Sequence, residues 1–179
     1  RYRGKTGAMP VRCKYHSNFA AARASVIGTP DAPLGTNDGP GAFDRLDWFE
    51  RLHAHCLPGF APLIAVAHDD ASNATAWMVL ARDGAMPFER KQPGTLCALA
   101  HWYSFSWQPQ FAGQPDAAAR TRLLTALLRD LRKQASRLIL TPVPSEHGVS
   151  ADLAAAMRAA GWLTTERVAS ANHWLEPAG

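Results

Sequence analysis

The sequence predicts an α+β protein with a mixed, mainly antiparallel sheet flanked by helices. Three observations lead there. Two β-rich runs, PLIAVAHD (62–69) and ATAWMVLARDG (74–84), flank a polar turn, as in a hairpin. Two stretches with apolar residues at helical spacing, 116–134 and 150–160, follow later in the chain. A short β-rich run, RLILTPVP (137–144), stands between those helices, an alternation that points to a mixed sheet.

The elements follow in order. VRCKYHS (11–17) alternates and reads as a first strand. NFAAARASVI (18–27) reads as a short helix capped by Asn18. Residues 28–41, GTPDAPLGTNDGPG, are rich in turn formers and long for a plain connection, which marks a mobile or functional loop. AFDRLDWFERLHAHC (42–56) places Phe43, Leu46, Phe49, Leu52 and Cys56 on one helical face, and Pro58 and Gly59 end it. Trp48 joins its core side, while Asp47 and Glu50 form its wet face. After the hairpin, TLCALAHWYSFSW (95–107) reads as a third strand. Asp116 opens the strongest helix, Leu124, Leu127, Leu128 and Leu131 form its stripe, and Arg129, Arg132 and Lys133 suit its C-terminal dipole. RLILTPVP reads as a buried central strand stopped by prolines. In SADLAAAMRAAGW, Ser150 is the expected N-cap, Asp152 lies in the first turn and Gly161 is the stop. WLTTERVA (162–169) and ANHWLEP (171–177) are expected as two closing strands.

Composition excludes several functions. The 179 residues suffice for one domain with a real core, and 47% of them are hydrophobic. The net charge of +4 comes from scattered arginines without a basic block, so nucleic acid is not an expected partner. No apolar run has the length of a membrane span. The start, RYRGKTGAMPV, lacks both the apolar core of a secretory signal and an initiator Met; it reads as the edge of a fragment or processed product. Cys13, Cys56 and Cys97 are odd in number and far apart, which suits buried free thiols in a reducing compartment better than disulfides or a metal site. His53 and His55, two apart on a helix, point to different faces and argue against a metal pair. No metal is expected.

The stretch HWYSFSWQPQF (101–111) holds five aromatics in eleven positions. A continuous strand from Thr95 would put Trp102, Ser104 and Ser106 on one face and His101, Tyr103, Phe105 and Trp107 on the other. Two readings stay open. One is a strand buried on both faces. The other is a strand whose end lines a cleft, with His101, Trp102, Tyr103, Ser104 and Trp107 contacting a polar substrate. His101 is either a general base or a hydrogen-bonded structural residue. Glu146 and His147 lie in the loop after 137–144, where open sheets often bind ligands, although a solvated loop is the simpler reading.

The element order, with AAMRAAGW and its Gly161–Trp162 pair, resembles the GNAT acyltransferase fold. More narrowly, FDRLDWFERL, LCALAHWYSFSWQPQF and NHWLEP resemble the N-terminal half of bacterial two-part GNAT-type N-acetyltransferases. That group is related to Fem-type aminoacyl transferases and to acetyltransferases linked to cellulose synthesis. The resemblance spans residues 11–179, with 1–10 as a disordered tail. It implies a cytoplasmic enzyme that moves an acetyl or related acyl group from acetyl-CoA to an amine or peptide-like acceptor. It also implies a second GNAT-like half in cis. In GNAT domains, backbone N–H groups in a Q/R-x-x-G-x-G/A turn cradle the CoA pyrophosphate. Here SWQPQFAGQPDAAAR offers only Gly113, and Pro109 and Pro115 remove two donors. The resemblance therefore implies that this half supplies acceptor contacts while the second half holds acetyl-CoA. The alternative is a non-catalytic GNAT-like module that recognises a partner or polar ligand.

Overall fold

A computed structural model describes residues 11–27, 45–84, 93–101, 104, 106–145 and 148–168. Its elements are β1 (Arg12–His16), α1 (Phe19–Ile27), α2 (Leu46–Cys56), β2 (Pro62–Asp69), β3 (Ala74–Arg82), β4 (Thr95–Ala98), β5 (Gln110–Ala112), α3 (Ala117–Leu131), β6 (Arg137–Ile139) and α4 (Val149–Ala159). The sheet runs β1-β2-β3-β4-β6, and β5 pairs with β3 as well. Every pairing is antiparallel except β4 with β6, so the fold is α+β with a mixed sheet.

Register assigns the two faces. Tyr15 lies opposite Ala65, which lies opposite Met78. The Tyr15 hydroxyl reaches Asp130 of α3 at 2.7 Å, so Cys13, Tyr15, Ala65, Ala67, Ala76, Met78 and Leu80 face α3. Small alanines there let the helix approach closely. Leu123, Leu124, Leu127, Leu128 and Leu131 of α3 are all buried, as the leucine stripe predicts. The opposite face carries Ile64, Val66, Trp77 and Val79, also buried. There α1 packs against β1, β2 and α2, with Phe19, Phe49 and Leu52 in the core.

The helix ends agree largely with the sequence. Asn18 Oδ1 accepts from the Ala21 N–H at 2.7 Å, and Asp116 Oδ1 accepts from the Ala119 N–H at 2.7 Å. Gly161 takes a left-handed φ of +86° after α4. Ser150 is not the cap of α4; the cap lies two residues earlier at Gly148, whose left-handed φ of +74° turns the chain into the helix. The basic residues at the end of α3 do more than answer a dipole. Arg129 and Arg132 donate to the Ala159 and Ala160 carbonyls at 3.4 and 3.3 Å, so α3 supplies partners to the orphan carbonyls of α4.

Four expectations are corrected. The third strand ends at Ala98, not Trp107, and the chain rejoins the sheet as β5. The run RLILTPVP keeps only Arg137–Ile139 in the ladder and ends the strand order instead of lying centrally. Its prolines withdraw ladder donors, which leaves it short. Residues 162–168 join no strand. Of the cysteines only Cys97 is buried, Cys13 is half-buried and Cys56 is exposed at the last residue of α2. The loop 28–41, Phe43, the stretch ANHWLEP and the tail 1–10 lie outside the described residues.

Candidate functional site

The aromatic stretch sits in a break of one strand. β4 and β5 run in the same direction along the same edge of β3. Ala98 lies opposite Leu80, and Gln110 lies opposite Trp77. None of the described residues between 99 and 109 joins the ladder. The Leu99 N–H still reaches the Val79 carbonyl at 3.1 Å, and the same carbonyl accepts from the Trp107 indole Nε1–H at 2.8 Å. The Trp107 backbone N–H donates to the Pro142 carbonyl at 2.6 Å, which ties the excursion to the segment after β6. Trp107 is fully buried. It therefore fills the break as a core residue, with both N–H groups satisfied.

The other candidates part company. Ser104 is buried, and its hydroxyl oxygen accepts from the His101 N–H at 2.9 Å. The Ser104 N–H returns to the His101 carbonyl at 2.7 Å, so the two residues bond each other in both directions. His101 is half-buried. Trp102, Tyr103, Phe105, Glu146 and His147 lie outside the described residues. The described residues between 99 and 107 join no strand, so the alternation expected there does not apply to them.

The segment before α3 is where the resemblance would place a pyrophosphate turn. The two features that would cradle a pyrophosphate are both committed elsewhere. Gly113 has φ +78°, and a Cβ built on it would stand 2.6 Å from the Asn73 carbonyl oxygen. Its missing side chain lets the β2–β3 turn approach. The first free N–H groups of α3 already face a carboxylate, that of Asp116. Arg120 stays local as well: Nε donates to the Pro115 carbonyl at 3.0 Å, and the guanidinium stands 5.8 Å from the centre of the Phe111 ring. These residues do not fit a CoA pyrophosphate.

Sequence reading missed two polar networks at the far end of the hairpin. Asp69 is 1% exposed. It accepts from Arg122 at 2.9 Å, from the Ser72 hydroxyl at 2.9 Å and from the Ala71 N–H at 3.0 Å. Burial alone would raise its pKa, but Arg122 and the two other donors hold the carboxyl below its ordinary value. On the other face, His68 Nε2 meets Asp70 at 3.2 Å and Nδ1 meets the Thr75 hydroxyl at 3.0 Å. Asp70 also pairs with Arg12. With a neutral imidazole and an acceptor-only carboxylate, Nε2 carries the proton and Nδ1 accepts from Thr75. This hydroxyl–imidazole–carboxylate chain has the connectivity of a nucleophilic relay, yet Thr75 is 3% exposed, which closes the hydroxyl to a substrate. The register offered a signal for the second network alone: once DASN is the turn, His68 lies opposite Thr75.

Arg122 staples α3 to the hairpin turn, so its loss has a defined pH signature. The lowered pKa of Asp69 means that its stabilisation is present above the unfolded carboxyl value of about 4 and is lost as pH falls through the folded one. Arg122→Ala is expected to cost about 1 kcal/mol at neutral pH, discounted because Arg122 is half exposed. The acid-unfolding midpoint should also move to higher pH. An unchanged midpoint in circular-dichroism titrations would show that Ser72 and Ala71 suffice.

Chemistry at β1 is limited. Cys13 is pushed up to about 11 by burial first and by the nearby Asp130 charge second, so it remains a thiol at neutral pH and is no nucleophile. The Tyr15 phenol is raised as well, by burial and by its hydrogen bond to Asp130. Burial and then Lys14 lower the pKa of His16, whose Nε2 has no partner among the described residues. The Trp77 indole nitrogen on the same face is likewise buried and unpartnered there. His53 donates Nε2–H to the Phe60 carbonyl at 2.8 Å, a structural bond at the end of α2. No group of three His, Cys, Asp or Glu residues with metal-binding geometry occurs among the described residues. No described helix is long and apolar enough to cross a membrane. Comparison of the chain with protein-family models, curated proteins and solved structures found no match.

Proposed function

We propose that this domain is the acceptor-side half of a cytoplasmic N-acyltransferase of GNAT type, acting on an amine or peptide-like acceptor, with acetyl-CoA held by a second half in cis. The element order supports the reading: a meander of antiparallel strands, an interrupted strand, then a helix and a parallel strand beside the first piece of the interruption. The observation that carries the division of labour is the Asp116 carboxylate on the first N–H groups of α3. An anionic side chain there competes with a phosphate both for the donors and in charge. Of the five residues assigned to acceptor contacts, His101 keeps the role best. Trp102 and Tyr103 retain it from sequence alone, while Ser104 and Trp107 are buried and bonded within the fold.

The second reading, a non-catalytic binding module, is favoured by the buried, internally paired state of Trp107 and Ser104. Calorimetric titration with acetyl-CoA tests the first. The chain should show no binding tighter than a Kd of about 1 mM. Micromolar binding would overturn the division between halves. The coding sequence downstream then separates the two readings: a further half with a glycine-rich N–H turn supports the enzyme, and its absence the module.

A further inference from the structure

His16 stands at the join of β1 and α1, two residues before the cap Asn18. It lies opposite Ile64, and Lys14 lies opposite Val66, so both belong to the sheet face on which α1 packs. The imidazole Nε2 is shielded from solvent and has no partner among the described residues. Burial first and Lys14 second hold the ring's pKa below its ordinary value, so it is neutral at neutral pH.

A charge on that ring would meet no available counter-ion among the described residues. On β2, Ile64 and Val66 are apolar. Farther along the face, Asp70 is already bound by Arg12 and His68. α1 has no acidic residue in its first turn, and its Arg23 is paired with Glu50 of α2. Asp47 of α2 pairs with Arg45, and His53 of α2 meets the Phe60 carbonyl. What remains is cationic: Lys14, and the partial positive charge at the start of α1. α1 is also lightly held. Of its residues whose side chains are described, only Phe19 and Ala22 are buried, and the Phe19 ring lies 6.0 Å from that of His53.

We propose that His16 is an acid-sensitive latch on α1: the neutral ring lets α1 lie on β1 and β2, and the protonated ring loosens it from them. The loosened form binds the proton more tightly. Closure is therefore fully favoured above an open-state value of about 6.5 and declines as pH falls through it, until the lower value of the closed form is reached. The latch is independent of any acyl transfer.

Amide hydrogen exchange of the 179-residue chain from about pH 7.5 to about pH 5.5, corrected for intrinsic rates, tests it. Protection of residues 22–27 should fall severalfold, with a ceiling of about tenfold for one proton. Protection in α3 should hold. His16→Gln cannot take up the proton, and its α1 protection should be the same at both pH values. Circular dichroism checks that this variant is folded. In the unaltered chain, the His16 imidazole resonances should titrate below about 6.5 by NMR, which needs no substitution. A ring that titrates at or above that value overturns the proposal, as does α1 protection that ignores pH. So does a pH dependence that survives His16→Gln, or one shared equally by α3, which would mark global loosening.

Discussion

Trp107→Ala is expected to be among the most damaging single changes in this protein, costing about 3–5 kcal/mol. The residue is fully buried, fills the break between β4 and β5 and bonds the Val79 carbonyl at 2.8 Å. Truncation removes the indole area, opens a cavity and releases the tie between the excursion and β3. In a chain of 179 residues the melting temperature should fall by roughly 10 °C. Trp107→Phe keeps most of the apolar area and loses the indole bond, while Val79 still accepts from Leu99. That change should cost about 1–2 kcal/mol. Urea unfolding of both variants gives the answer. A loss below about 1 kcal/mol for Trp107→Ala would mean that the ring lines a wet wall, as a ligand-contacting aromatic does, and not the core.

Gly113→Ala should cost about 2–4 kcal/mol, from a left-handed backbone and a collision together. The backbone is at φ +78°, and the added Cβ would stand 2.6 Å from the Asn73 oxygen and 3.2 Å from the Ala74 Cα. Both neighbours are backbone atoms of the hairpin, so neither yields easily. Gly59→Ala is the control. It meets nothing within 4 Å and should be close to neutral. If Gly113→Ala unfolds at the same urea concentration as the parent, the turn can shift. A phosphate would then have room at the start of α3, and the proposed division between halves would weaken.

Several features were legible from residue order alone. The leucine stripe of α3, the DASN turn and the caps Asn18 and Asp116 each depend on neighbours within a few positions. Periodicity and capping are local, so a single sequence displays them. The candidate site was less legible. Alternation at 99–107 was extrapolated from Thr95, but the Ser104 hydroxyl bonds the His101 backbone, and the described residues there join no strand. A short-range side-chain bond competes with the strand pattern. The aromatic density did mark a special place; it did not say that one tryptophan would plug it.

Residue order by itself determined that this chain forms an α+β domain, where its long helices lie and which of their faces are apolar. Only tertiary structure decided that β4 breaks and resumes as β5, that Gly113 serves the hairpin turn and that Arg122 reaches Asp69 across 53 positions. The physical reason is the range of the forces. Helical and turn preferences act over one or two turns of chain. Close backbone approach, the partners of a buried carboxylate and the filling of a strand break depend on atoms brought together only when the sheet closes.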